Sequence, residues 1–305
     1  MSKKNQLLSI TLCLVTIITV YFSYIPNANA YSKDNIAQLI KENKCIKCDL
    51  SNYHFPKNKF NLEKANLFKS NLHKTNFTNL NLRKANFSET DLTFSNLEKI
   101  NAKKTDFRKA DLTHSNLKNS NLSQANFSEA TLNHSNFSHS ILERSDFEKA
   151  DLSESNFIQA NLSGANFHNA NLTKADLDLA NLSSKSKKHL TNFSNANLTQ
   201  IQLINANLQK VNFSNANLYQ ADFDGSDLTE SILEKANLAE ANLSHVNLSN
   251  ADLRHANLIN ASLVYANLSN ANLKNANLEK ANLTGVNLTN TNLKGAIMPD
   301  GSIHN

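Results

Sequence analysis

The sequence predicts an all-β solenoid, because one apolar pattern recurs every five positions over most of its 305 residues. A large centre, Leu or Phe, recurs from Leu62 to Leu182 and again from Phe193 to Leu293. A small residue usually stands two positions before each centre, and the other three positions are polar. A period of five fits neither the 3.6 residues of a helical turn nor the two of a strand. It fits short extended segments joined by turns, which bury apolar residues only when successive coils stack.

The spacing of the phenylalanines predicts a coil of four faces and twenty residues. In the first block the Phe centres differ by multiples of ten, which confines Phe to two opposite faces. With a twenty-residue coil, one Phe per coil would stack on the next in the offset manner that aromatic rings prefer. The predicted stack contains Phe87, Phe107, Phe127, Phe147 and Phe167.

Two further patterns agree with this coil. Charges of alternating sign also lie twenty residues apart, which predicts a ladder of opposite charges between coils; its members are Lys69, Glu89, Lys109, Glu129 and Lys149. Ala102 replaces a large centre where Ile100 replaces the small residue before it, so volume is exchanged between the two positions and not lost.

The first thirty residues predict export. Lys3 and Lys4 precede an apolar run from Leu7 to Ile25, and Ala28 and Ala30 have the spacing of a cleavage site. We therefore expect a signal peptide over residues 1–30, cut after Ala30, and a secreted or periplasmic protein. Loss of the two lysines lowers the formal charge from +5 to +3, and no other segment is apolar enough to span a membrane. The alternative is an uncleaved N-terminus that anchors the chain in a membrane.

Residues 31–59 are predicted to form a cap that covers the open end of the solenoid. Ile36, Leu39 and Ile40 have the spacing of one face of a short helix, and Cys45 and Cys48 follow it. In an exported protein such a pair favours a disulfide. The alternative is a redox or metal pair, but zinc needs two more ligands, and a thioredoxin-like role needs a βαβ context that this sequence lacks.

The tandem copies of A-[ND]-[LF]-x-x resemble the pentapeptide-repeat family, over about residues 60–296. The resemblance implies a four-sided right-handed β-helix of about 11 to 12 coils, which at about 4.8 Å per coil gives a rod ~55 Å long. Exported members are similar in layout, with a signal, a short helix and C-x-x-C-D-L before the repeats, which supports the cap. The repeats are expected in two blocks, 60–182 and 193–296, with a register break or loop at 183–192 between them. A C-terminal turn is expected over 297–305, where Pro299-Asp300-Gly301 ends the β-helix.

Three surface features are candidate sites. A basic stripe could bind a polyanion or an acidic protein surface, although it could equally be a solvated face that keeps the rod soluble; it contains Lys64, Arg83, Lys84, Lys103, Lys104 and Arg144. His114 and His134 lie twenty residues apart and could bind a metal ion together. The small number of ligands on a flat surface argues against a metal site. The break at 183–191 holds three lysines and a histidine, and is either a degenerate five with a bulge or a small outward loop.

These features favour a non-catalytic extracytoplasmic rod that presents β-helix faces to a macromolecular partner. No nucleophile motif, Gly-rich phosphate loop or pocket-forming insertion predicts an enzyme or a cofactor. The expected partner is a protein or a polyanionic surface, and the modest charge argues against nucleic acid. The family resemblance also implies an alternative, mimicry of DNA and binding to a topoisomerase, if the chain stays in the cytoplasm. It further implies that a homodimer could form through the C-terminal coil, where Ile297 and Met298 lie.

Overall fold

The chain folds as a right-handed quadrilateral β-helix with a short helical cap at its N-terminal end. This computed structural model describes residues 31–56, 60–184 and 188–305. The predicted signal peptide therefore lies outside the described residues, as do the lysines at positions 185 and 187. Among the described residues one helix occurs, α1 (Lys33–Glu42), and no β-segment extends beyond a single bridging residue.

Parallel bridges between residues twenty apart hold neighbouring coils together. Asn86 bridges to Asp106 and Asp106 to Asn126, and the same spacing recurs through both blocks. Each centre donates its backbone N–H to the next coil, as Phe87 does to the Asp106 carbonyl at 2.7 Å, and the residue before it donates to the previous coil. Because this ladder runs along the axis, each coil contacts only its neighbours, as in other solenoids.

Apart from one insertion after Leu182, each corner of the described repeats is a turn of two residues, and the second adopts a left-handed backbone. The N–H of the next small residue closes the turn on the carbonyl of the centre, as Ala65 does on Leu62 at 3.0 Å. The φ of the second turn residue is +60° at Lys64 and +57° at Lys69. L-residues other than Gly visit this region at a cost, and Asn and Asp tolerate it best. Here Lys, His, Glu and Gln occupy it as well, so the coil-to-coil hydrogen bonds must impose it.

The side chain of the Asn or Asp before a centre accepts a hydrogen bond from the backbone N–H of the first turn residue. Asn66 Oδ1 accepts the backbone N–H of Phe68 at 3.2 Å, and Asn86 Oδ1 accepts that of Ser88 at 3.0 Å. This is the Asx-type bond that short polar side chains make two residues ahead. The Asn side chains also bond along the axis, as Asn257 donates to Asn237 and Asn237 to Asn217 at 3.0 Å each. Asn thus supplies both a turn acceptor and a ladder between coils.

The interior is a column of Leu and Phe side chains with small residues at the corners. One stack of seven rings runs up a single face, with centroid separations between 4.5 and 5.4 Å; it contains Phe87, Phe107, Phe127, Phe147, Phe167, Phe193 and Phe213. The opposite face carries shorter stacks, such as Phe137 on Phe157 at 4.7 Å. Rings of the two faces meet edge to face, Phe147 and Phe157 at 6.0 Å. Stacked and edge-on contacts of this kind add about 0.5–1.5 kcal/mol per pair beyond burial.

The exchanged pair at residues 100 and 102 is buried as a unit. Ile100 is 2% exposed and Ala102 is fully buried. Leu80 occupies the same small position one coil earlier and is also buried. Large residues therefore occupy this small position in two successive coils. In the coil of Ala102, the Ile100 side chain supplies the interior volume that the centre lacks.

The N-terminal cap covers the first coil. Ser32 caps α1 by accepting the Asn35 N–H at 3.3 Å, and Asn43 ends it with a φ of +51°. Ile36 and Leu39 are buried, whereas Ile40 is 43% exposed, so only two of the three predicted helix residues pack on the rod.

Aromatic residues complete the cap. Tyr53 contacts Tyr31 at 4.9 Å and Phe55 at 4.7 Å, and Phe55 stacks on the first interior ring, Phe77, at 4.9 Å. Burial, with the nearby Tyr31, raises the pKa of the Tyr53 phenol to about 12. Phe77 in turn meets Phe87 edge to face at 5.7 Å, so aromatic contacts run without a gap from the core into the cap.

The C-terminal end is less well covered. Leu283, Val286, Leu288 and Leu293 face the axis but are only partly buried. A tight turn follows, in which Met298 N–H donates to the Ser302 carbonyl at 2.7 Å and Ile297 bridges antiparallel to Ile303. This turn covers part of the last coil and leaves Ile303 66% exposed.

A buried serine column offers a test of the packing. Ser115 Oγ is buried and has no hydrogen-bond partner among the described residues, and Ala175 holds the same position three coils later. Ser120 Oγ, by contrast, accepts the Ile100 N–H at 3.2 Å and donates to the Leu97 carbonyl at 2.9 Å. We expect Ser115→Ala to stabilise the rod by about 1 kcal/mol and Ser120→Ala to destabilise it by at least as much, because only the second leaves a buried partner unsatisfied.

The measurement is thermal unfolding of both variants by circular dichroism. A shift of about 2–4 °C per kcal/mol is expected for a chain of this size. Equal shifts of the same sign would contradict the hydrogen bonding described for these two hydroxyls.

Candidate functional site

The six predicted cations lie on one corner of the rod, which we call the basic corner. It comprises the turn residues 63 and 64, 83 and 84, 103 and 104, 123 and 124, and 143 and 144. Lys64, Lys84, Lys104 and Arg144 hold the second turn position, with φ between +55° and +63°. Arg83 and Lys103 hold the first. The stripe therefore lies on the ridge between two faces, and not on a flat face as the sequence suggested, because turn residues project outward from corners.

None of the six cations forms an ion pair with a carboxylate in the described part of the chain. The acids at the two ends of the corner bond to amides instead. Glu63 accepts from Asn81 at 3.3 Å, and Glu143 accepts from Asn161 at 2.9 Å. Five of the cations are exposed and Lys103 is half-buried. The corner thus carries six cations and two carboxylates, a net charge of +4, and no described carboxylate forms an ion pair with these cations.

Some cations elsewhere on the rod do form ion pairs, although others, such as Lys74 and Lys174, form none among the described residues. At the next corner Lys69 pairs with Glu89 at 3.1 Å and Lys109 with Glu129 at 3.5 Å, but Lys149 pairs with its chain neighbour Glu148 at 3.4 Å. The expected charge ladder is therefore two separate pairs and not a continuous column, because Lys149 has a closer acid.

An arginine in the second block shows full pairing. Arg254 donates to both carboxylate oxygens of Asp252 at 2.7–3.0 Å and reaches Glu234 at 3.2 Å. The hydrogen bonds from Arg254 lower the pKa of the Asp252 carboxyl. This contrast sets the basic corner apart from the paired cations.

The repeat break adds residues to the same corner. Phe193 stacks on Phe167 at 4.5 Å, and the bridges Asn166 to Asn192 and Asn181 to Asn207 span 26 residues, six more than a coil. All six lie between the centres Leu182 and Phe193, so the break is an insertion at one corner and the register recovers at once. Residues 185–187 of the segment lie outside the described residues.

Thr191 closes the base of this insertion. Its hydroxyl donates to the Leu182 carbonyl at 2.6 Å and accepts the Gly164 N–H at 2.9 Å. A Cβ built on Gly164 would lie 2.9 Å from the His189 carbonyl and 3.3 Å from Arg144 Cγ. Arg144, the last cation of the basic corner, therefore lies next to the returning arm of the insertion.

The two candidate metal ligands lie at the opposite corner, in a column of stacked rings. His114 and His134 are parallel, with centroids 4.7 Å apart, and Phe94 stacks on His114 at 4.9 Å. His134 Nδ1 lies 3.4 Å from a Glu154 oxygen. Nitrogen lone pairs lie in the ring plane, so two parallel rings cannot direct theirs at one ion. In the described residues no cluster of three or more His, Cys, Asp or Glu has the geometry to hold a metal.

In the cap, Cys45 and Cys48 form a disulfide. Cys45 is fully buried and Cys48 is 5% exposed. Ser70 Oγ donates to the Cys45 carbonyl at 2.6 Å and accepts the Cys48 N–H at 3.1 Å, which joins the disulfide turn to the next coil. The disulfide thus closes a local turn of the cap, and Ser70 fastens that turn to the rod.

The interior holds no titratable side chain in the residues that the structure describes. Every buried polar residue there is Ser or Thr, and most of their hydroxyls bond to backbone carbonyls of the turns. General acid–base chemistry requires a positioned group with a tuned pKa near the reacting atom, and the rod places its titratable groups on its surface.

Comparison with known proteins identifies the family. The family model described as pentapeptide repeats matches eight copies, over residues 70–108, 191–230, 236–275 and 261–298, and a pentapeptide repeat region model matches residues 95–167. The chain belongs to the pentapeptide-repeat family. No curated protein sequence matches it.

Three solved structures illustrate the similarity. HetL of the cyanobacterium Nostoc, a pentapeptide repeat protein involved in heterocyst differentiation regulation, is 36% identical; the match covers 77% of this chain and 91% of HetL, with a TM-score of 0.39. Rfr23 of the cyanobacterium Cyanothece is 40% identical over 36% of this chain and 88% of its own, with a TM-score of 0.34. A pentapeptide repeat protein of the Arabidopsis thaliana thylakoid lumen is 31% identical over 27% of this chain and 61% of its own, with a TM-score of 0.24.

Within the described residues, no helix combines the length and apolar character needed to cross a membrane.

The corner insertion makes a testable prediction about Gly164. Its φ of +72° lies in the left-handed region that non-Gly residues occupy at the other corners, with φ between +53° and +63°, so the more sensitive feature is the backbone carbonyl of His189 at 2.9 Å from a built Cβ. We expect Gly164→Ala to destabilise the rod by about 1–3 kcal/mol, because a backbone carbonyl has to move.

The matched control is Gly225→Ala, with φ +69°, where the added Cβ meets only the movable side-chain amide of Asn205. Urea unfolding of both variants is the measurement. Equal destabilisation would show that the φ value, and not the packing of the insertion, requires Gly164.

Proposed function

We propose that this chain is a non-catalytic, extracytoplasmic rod that docks a macromolecular partner of negative charge at its basic corner. The observation that carries the proposal is the set of six cations on one ridge with no ion pair among the described residues. A rigid ridge of unpaired charge raises the local concentration of anionic partners and speeds encounter. Unpaired cations also occur elsewhere on the described rod, but Lys74 and Lys174 lie five coils apart on their corner, whereas the basic corner places five cations in three successive coils.

The scaffold role is supported by the hydrogen bonding of the polar side chains. Asn, Ser and Thr side chains satisfy turns and bond along the axis, so they serve the coil itself. A catalytic constellation needs a nucleophile, a base and an orienting group that converge in a cleft. The rod presents turns and ladders, which suit extended contact with another surface.

The extracytoplasmic setting is supported by the N-terminal sequence and the disulfide. Lys3, Lys4, the apolar run to Ile25 and the Ala28–Ala30 spacing have the form of a signal peptide. Disulfides persist in oxidising compartments, and Cys45 and Cys48 are paired. DNA mimicry in the cytoplasm would need acidic faces, whereas this rod has a basic ridge. The homodimer through the C-terminal coil stays a prediction, to which the partly covered Leu283 and Leu288 give a surface.

Cell fractionation with N-terminal sequencing of the native protein tests the proposal. We expect a chain that starts at Tyr31 outside the cytoplasm. Ala30→Phe should block cleavage, because the residue before the cut must be small, whereas Asn29→Phe should leave cleavage intact. A chain with intact Met1 in the cytoplasm would contradict the proposal and redirect the search to topoisomerases. An intact chain in the membrane fraction would show that the rod is membrane-anchored, and it would contradict only the predicted cleavage.

A further inference from the structure

We propose that the basic corner docks the N-terminal half of the rod on an anionic lipid leaflet, through the phosphates of its headgroups. This inference rests on the proposed function and names the partner that the basic corner meets. It follows from three properties of the corner: its unpaired charge, its straightness and the absence of large apolar residues from its turns.

The charge is concentrated in one part of the rod. Five cations, Lys64, Arg83, Lys84, Lys103 and Lys104, lie in three successive coils, which span about 10 Å of the axis at ~4.8 Å per coil. Beyond the insertion, the same corner carries Lys210 paired with Glu230 at 3.5 Å, and then uncharged Ser, Thr and Asn. The positive ridge is therefore confined to the N-terminal half, and this half should lie nearest an anionic surface.

The shape of the ridge suits a plane. Bridges at a constant spacing of twenty residues from Asn66 to Asn166 stack the coils in register. The stacked rings from Phe107 to Phe167 lie within 3° of parallel, so successive coils are barely rotated and the turns of one corner follow a nearly straight line. From Lys64 to Arg144 that line is about 19 Å long. A straight convex ridge contacts a flat leaflet along its whole length. A DNA duplex is itself convex and its phosphates wind away from a straight line, so the ridge would reach fewer of them.

The chemistry of the ridge is purely electrostatic. The exposed large hydrophobic residues of the described chain are Ile40, Ile46, Phe94, Ile141, Leu179, Tyr265 and Ile303, and none occupies a turn position of the basic corner. Nothing on the ridge would insert into acyl chains. Basic residues near an anionic leaflet each contribute about 1 kcal/mol, an attraction that decays within a Debye length. We therefore expect reversible, salt-sensitive binding at the headgroup level.

Vesicle co-sedimentation of the purified native chain tests the proposal. The probes are vesicles of phosphatidylglycerol mixed with phosphatidylcholine, compared with phosphatidylcholine alone. The test variant is Lys84→Gln with Lys104→Gln. The matched control is Lys74→Gln with Lys174→Gln, since these lysines hold the same left-handed turn position at the opposite corner and also form no ion pair among the described residues. Both variants remove the same charge from the same backbone setting.

We expect the test variant to lose about 25-fold in partition onto anionic vesicles, from about fivefold per lysine, and the control to lose less than about twofold. Binding should weaken steeply between 50 and 300 mM salt, roughly as the Debye length shortens. Equal losses in both variants would overturn the proposal, because they would reflect net charge and not the corner. So would the absence of binding to anionic vesicles, or corner-dependent binding of heparin or duplex DNA without vesicle binding.

The vesicle measurement is independent of where the cell places the chain. If the native chain is found outside the cytoplasm but ignores anionic vesicles, the lipid proposal fails and the extracytoplasmic rod stands. If the chain is found in the cytoplasm with Met1 intact, the proposed function fails whatever the vesicles show. Superimposable thermal unfolding of the two variants establishes that neither result comes from misfolding.

Discussion

The hydrogen-bonded register of twenty residues between coils is the constraint on which the rest of the structure depends. It sets every centre above another centre, so that Phe147 lies on Phe127 at 4.9 Å and Phe167 on Phe147 at 4.9 Å. It also holds the second residue of each turn at a φ that most L-residues avoid. That cost recurs at almost every corner, and a solenoid can bear it because each turn is fixed by ladder bonds on both sides.

Much of the fold follows from spacing alone, because a strict period leaves few alternatives. The phenylalanines, spaced by multiples of ten, predict the four faces. The exchange of large and small residues between positions 100 and 102 predicts that the volume of side chains in that coil stays the same. The sequence does not show which corner takes the insertion, since the step of eleven from Leu182 to Phe193 reads equally as two fives and one residue. Only the contact of Phe193 with Phe167 shows that one five and six added residues are present.

The candidate site was less predictable from sequence, because pairing depends on side-chain reach. Lys149 could have continued the ladder from Glu129, and instead it meets Glu148 at 3.4 Å. Conversely, Glu63 and Glu143 stand next to cations of the basic stripe in the sequence, yet they accept hydrogen bonds from Asn81 and Asn161. The unpaired state of the stripe, which carries the functional argument, is thus a property of the folded chain. The turn position of each cation, in contrast, could be counted from its centre.

Hydrogen exchange resolved to single amides tests the stacked-coil account most directly. In most fives, four backbone N–H groups bond to backbone carbonyls, as in the run Ala85, Asn86, Phe87 and Glu89, and the first turn residue, Ser88, bonds only to a side-chain oxygen. Through residues 65–281, leaving aside the insertion, the account predicts strong protection broken at every fifth amide, at the first turn position. Protection that is uniform, or that repeats every two or 3.6 residues, would contradict it.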